Sequence, residues 1–103
     1  MISIIYENRM VIAKICNKYK VRELYLFGSA TSNAYDPENS DIDFAVLFGS
    51  DIPVEDMADH YFGVIEELEG LLGKPIDLIT LQSIKNPIFK EELKKTMIPL
   101  YAA

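Results

Sequence analysis

The sequence predicts an α/β (α+β) domain, a mixed β-sheet of about four strands with helices packed on it. Three observations predict it. Short apolar runs bounded by turn residues alternate with segments of helical periodicity, in the order α-β-(loop)-β-α-β-α-β. One of those runs, "DIDFAVLF", is apolar almost without a break after its second aspartate, as in a strand buried in a sheet's interior. The 103 residues, half of them hydrophobic, suffice for one small core spanning residues 1–103, and no repeat or linker divides them.

From Ile5 to Tyr19, the spacing of Ile12, Ile15, Cys16 and Tyr19 predicts an amphipathic helix. "VRELYLF" alternates loosely and ends at Gly28, as a short strand entering a turn does. "GSATSNAYDPENS" has the composition of a loop, with room for one helical turn after Ser29. "DIDFAVLF" follows as a strand. "DIPVEDMADHYFGVIEELEGLLG" predicts the longest helix. Pro53 suits its first position, acidic residues crowd its first turns, and Gly73 ends it. Its expected apolar face is Val54, Met57, Ala58, Tyr61, Ile65, Leu68 and Leu72. "KPIDLIT" reads as a strand and "NPIFKEELKKT" as a helix capped by Asn86, with Lys94 and Lys95 near its end. "MIPLY" reads as a last strand, kept to an edge by Pro99.

Ten basic residues against sixteen acidic ones give a net charge of −6. After Arg22 the next Lys or Arg is Lys74, and every formal charge between them, from Glu23 to Glu69, is acidic. Such a surface repels a nucleic-acid backbone and suits a basic protein partner. No run approaches the ~20 apolar residues that span a membrane, and "MISIIYENRM" has no basic segment before its apolar residues. Cys16 is the only cysteine, which fits a reducing cytoplasm, and its apolar neighbours make it a core residue.

The candidate chemistry lies in the polar segments. Asp41 and Asp43 stand one residue apart, so on a strand they share a face, with Ile42 on the other. Their repulsion raises a pKa or costs stability unless a hard divalent cation such as Mg²⁺ sits beside them. The competing reading is a polar strand end in water, with Asp41 a turn residue. Gly28 and Ser29 come straight off a strand. Glycine allows a tight turn, and Ser29 with the backbone N–H groups after it could hold a phosphate, or this could be an ordinary turn. Asp77 stands between Ile76 and Leu78, where a carboxylate needs a partner, a metal or an exposed strand face. His60 reads as structural or exposed, Tyr61 as core, and Tyr35 as a ring that could stack on a base.

Together, "LFGSA", "SDIDFAV" and the lone Asp77 on a later strand resemble the nucleotidyltransferase superfamily of DNA polymerase beta. The short chain and the tail "NPIFKEELKKTMIPLY" resemble its minimal branch, the MNT-domain antitoxins of HEPN/MNT pairs. The resemblance implies a palm-type fold in which Asp41 and Asp43 bind catalytic Mg²⁺, two ions in all. Gly28 and Ser29 hold the nucleotide's terminal phosphates, and Asp77 shares one metal with Asp43 or helps deprotonate the acceptor hydroxyl. It further implies transfer of AMP from ATP to a hydroxyl, a tyrosine of a HEPN-type toxin, with a homo-oligomer left open. Many members of this branch read G-S-x-A-R-G, whereas this chain has Ser32 and Asn33 in those last places, so a phosphate-side cation must come from elsewhere. The alternative is an MNT-fold module that neutralises its partner by binding alone.

Overall fold

The computed structural model describes residues 2–32 and 35–103. Its centre is a four-stranded sheet in the order β3-β2-β1-β4, formed by β1 (Val21–Phe27), β2 (Ile42–Phe48), β3 (Ile76–Thr80) and β4 (Ile98–Ala102). β1 pairs antiparallel with both β2 and β4, while β2 pairs parallel with β3, so the sheet is mixed as expected. The parallel pair needs a crossover, and α3 (Met57–Leu72) supplies it.

Alternation along the strands gives the sheet two unlike faces. Leu24, Leu26, Ile42, Phe44 and Val46 are fully buried in the main core, beneath the helices. Glu23, Tyr25, Asp43, Leu47 and Asp77 stand on the opposite, more open face.

The first expected helix is two. α1 (Ser3–Glu7) and α2 (Arg9–Lys18) meet at Asn8, whose side chain donates to the Ile4 carbonyl at 2.8 Å. The backbone leaves helical geometry at Asn8 (φ −103°, ψ 13°), and its side chain shares the Ile4 carbonyl with the Asn8 N–H at 3.3 Å. Beyond it, Ile12, Ile15 and Cys16 are buried as the periodicity requires.

The long helix also differs from expectation in its face. Pro53 stays extended (ψ 144°) and outside the helix, followed by a 3₁₀ turn over Val54–Asp56. That turn leaves Val54 88% exposed, and Ala58 is exposed as well. The buried stripe is Val64, Leu68 and Leu72, flanked by half-buried Met57, Tyr61 and Ile65. Val64 takes the central place because α3 approaches α2 beside Gly63, where a Cβ would overlap the Tyr19 ring. Tyr19 in turn donates to Glu67, which Lys18 pairs at 2.8 Å. Gly73 ends α3 in the left-handed region (φ 68°), a conformation open to glycine.

α4 (Pro87–Thr96) starts as the sequence predicts. The Asn86 carboxamide oxygen accepts from the N–H groups of Ile88 (2.9 Å) and Phe89 (3.3 Å). β4 is an edge strand, where the missing N–H of Pro99 is tolerated.

Candidate active site

The strand register brings the predicted acids together. Asp43 lies opposite Phe27 at the end of β1 and opposite Asp77 in the parallel ladder with β3. The Asp43 and Asp77 carboxyls are in hydrogen-bond contact. Burial pushes the Asp43 carboxyl up to about 6, helped by the hydrogen bond to Asp77 and by the charges of Asp77 and Asp41. Asp41 is exposed and precedes β2, so it acts on Asp43 through its charge rather than as a strand neighbour. Asp77 is exposed on an edge strand, the placement that left its role open from sequence alone.

The glycine–serine turn borders the same carboxyls. Gly28 has φ 74°, and a Cβ on it would overlap the Asp43 carboxylate, so both backbone conformation and space call for glycine. A 3₁₀ turn covers Gly28–Thr31. The Ser32 N–H donates to the Ser29 carbonyl at 3.1 Å, and the Thr31 hydroxyl donates to the Gly28 carbonyl at 2.8 Å. Ser29 is half-buried and immediately follows Gly28. Ser32, which stands where the branch commonly has arginine, is exposed, and Asn33, in the place of the glycine after it, lies outside the described residues.

The loop that follows is closed on itself. Asp36 accepts from the Glu38 N–H (2.9 Å) and from the Asn39 side chain (2.8 Å), and its carbonyl accepts from the Ser40 N–H (2.8 Å). The Asn39 hydrogen bond, first among the causes, holds the Asp36 carboxyl below its usual range. Asp36 is thus a loop-closing residue. Lys74 reaches the same loop, donating to the Pro37 carbonyl with its Nζ 5.3 Å from the centre of the half-buried Tyr35 ring. His60 is structural, since its Nδ1 lies 2.8 Å from the Tyr19 carbonyl, which can only accept.

Among the described residues, no three His, Cys, Asp or Glu side chains are grouped closely enough to hold a metal ion as they stand. The donor chemistry nevertheless fits a hard divalent cation. Asp43 and Asp77 offer oxygen ligands only, they touch, and the cost of ionising Asp43 beside two other acids is the cost that a cation removes.

Two further concavities flank the sheet. One of about 470 Å³ is lined by Phe48, Met57, Tyr61, Phe62 and Thr80, at the strand ends remote from Asp43. Another, of about 320 Å³, lies on the open face between Tyr25, Leu47 and α4, with Lys90 and Lys94 at its side. The resemblance implies a metal shared by Asp43 and Asp77, but neither their direct contact nor this groove is legible in the residues alone. The contact depends on strand register, and the only signal for the groove is the i, i+4 spacing of two lysines on one helix face.

Comparisons with known proteins follow the same lines. Residues 9–100 match the family described as the nucleotidyltransferase domain. A candidate protein adenylyltransferase of Methanocaldococcus jannaschii is 40% identical over 83 residues, covering 80% of this chain and 79% of its own. A solved candidate minimal nucleotidyltransferase superposes with TM-score 0.73 at 26% identity, covering 93% of this chain and 92% of that one. The MNT antitoxin solved in complex with the tri-AMPylated HEPN toxin of Shewanella oneidensis shares the fold, with TM-score 0.64 and 22% identity over 95% of this chain and 72% of that one. The mixed sheet, the helices packed on it and the match along almost the whole chain make one assignment: the chain belongs to the nucleotidyltransferase domain family.

Proposed function

We propose that residues 1–103 form one minimal nucleotidyltransferase domain that transfers AMP from ATP to a hydroxyl of a partner protein. The observation that carries this reading is the contact of Asp43 with Asp77 beside the Gly28 turn. Two adjacent carboxyls on paired strands repel each other unless a cation offsets their charge, and the missing Cβ of Gly28 lets a turn of the kind that binds phosphate close directly on the Asp43 carboxyl.

Asp41, Asp43 and Asp77 are the residues that would hold Mg²⁺, two ions in the full site. The metal supplies charge neutralisation of the triphosphate and of the leaving pyrophosphate. The chain's own groups do the rest. Gly28 and Ser29 hold the terminal phosphates and aim the α-phosphate. The acceptor hydroxyl oxygen bonds to that phosphorus, the bond to the bridging oxygen of pyrophosphate breaks, and the hydroxyl proton passes to Asp77 and then to water.

The acceptor is a tyrosine on a HEPN-type toxin, and the protein is its antitoxin. Support comes from the candidate protein adenylyltransferase relative and from the Shewanella oneidensis fold neighbour, whose HEPN partner carries AMP. The reading includes a cytoplasmic location, in keeping with a single buried thiol, and among the described residues no helix is long and apolar enough to cross a membrane. Direct nucleic-acid binding is not part of it, because the acidic surface disfavours a phosphate backbone.

One observation favours a second reading, neutralisation by binding alone. Lys74, the first basic residue after Arg22, is engaged by the Pro37 carbonyl and Tyr35. The test is to incubate the pure protein with a co-encoded HEPN-domain protein, ATP and Mg²⁺. A mass gain of one or more AMP groups on the partner, absent with Asp43→Asn, is the expected result. A stable complex with no mass gain establishes the second reading instead.

A further inference from the structure

The face of the sheet that carries Asp43 continues along β2 to Leu47, four residues and roughly 13 Å away. There it meets the groove of about 320 Å³ under α4. Tyr25, Leu47, Leu93 and Met97 give that groove an apolar floor, and Leu93 is buried there apart from the main core. Lys90 and Lys94 rise beside it on one face of α4. Both are exposed, and among the described residues neither is in an ion pair; the α4 bridge within reach is taken by Lys95 and Glu92. Glu23, also in the groove, is occupied by the Tyr25 hydroxyl.

Two unpaired lysines beside an apolar floor form a local charge opposite to that of the chain, which is −6 overall. A compact carboxylate next to an apolar side chain matches that pattern. A polyanionic backbone does not, because it would have to run past the Glu23 carboxylate. Gly28 stands at the other end of β1 from the groove, so the nucleotide and the groove occupy separate parts of the face. We infer that this groove seats the acceptor polypeptide, binding an extended segment with an acidic residue next to an apolar one, about four residues from the hydroxyl presented to Asp43 and Asp77. The inference rests on the transfer reading and names the substrate surface for it.

The test uses the full chain and two fluorescein-labelled synthetic peptides. One carries Asp-Leu-Asp with a tyrosine four residues beyond, and the other carries Lys-Leu-Lys in the same places. Anisotropy titrations should show the acidic peptide binding about fivefold tighter, the preference that two exposed ion pairs give, and added salt should erase the difference. The charge-reversed variant Lys90→Glu/Lys94→Glu should invert the preference. Both positions are exposed, and circular dichroism checks that the variant is folded. Equal binding of the two peptides, no binding of either up to about 1 mM, or an unchanged preference in the variant overturns the inference. Asp43→Asn separates the two readings. It should keep the peptide preference while AMP transfer is lost. Preference for the acidic peptide without any transfer in the wild type leaves the groove standing and sinks the transfer reading. Equal transfer to both peptides does the reverse.

Discussion

Asp43, which the proposed transfer places at the metal, carries a cost. Its carboxyl titrates at about 6, above the ~3.9 of an unfolded aspartate, so the folded state binds that proton more tightly. The resulting stability is fully present below about pH 4 and is lost as the pH rises through 6. With EDTA present, urea unfolding of the wild type should therefore weaken between pH 4 and 7. Asp43→Asn should remove that slope and gain up to about 1 kcal/mol at pH 7, a figure discounted for solvent screening of a partly exposed group. The same variant should lose at least about 100-fold in AMP transfer, the lower range for loss of a group acting on the reacting atoms. Gly28→Ala tests the other side of the site. Its positive φ and the overlap with Asp43 predict a loss of about 1–2 kcal/mol, read by urea titration, with transfer falling in parallel. The residue types at these positions were legible from sequence. That Asp43 and Asp77 meet was implied only by the family resemblance, because register is set by packing across strands distant in sequence.

At the scale of elements, caps and breakers were readable and faces less so. The Asn86 cap accepts from two N–H groups as the motif promises, and Asn86→Ala should cost about 1 kcal/mol by urea denaturation. Asn8 interrupts a helix that periodicity alone would continue, its side chain adding a second hydrogen bond to the Ile4 carbonyl where the backbone turns out of helical geometry. In α3 the expected apolar face missed Val64 and included Val54. A sequence shows which residues are apolar, but the buried stripe depends on where the neighbouring helix lies. Here Gly63 lets α3 close on Tyr19, turning Val64, Leu68 and Leu72 inward. Leu68→Ala should accordingly cost about 2–5 kcal/mol, while an alanine at exposed Val54 should change stability by less than about 0.5 kcal/mol.

At the scale of the molecule, one sheet separates a core from a working face. Cys16 lies in that core, and burial pushes its thiol up to about 12. It should resist a disulfide reagent such as DTNB in the native protein and react fully in urea, and in mild denaturant its labelling should follow opening of the core. The sequence by itself determined the fold class, the order of elements, the glycine turn and the carboxylates, because hydrophobic period, caps and turn chemistry are local properties of the chain. Tertiary structure alone decided that Asp43 meets Asp77, that Lys74 belongs to the Tyr35 loop, and that Lys90 and Lys94 flank a groove on the same face as the acids. Those outcomes depend on strand pairing and helix placement, which are fixed only when the whole core packs.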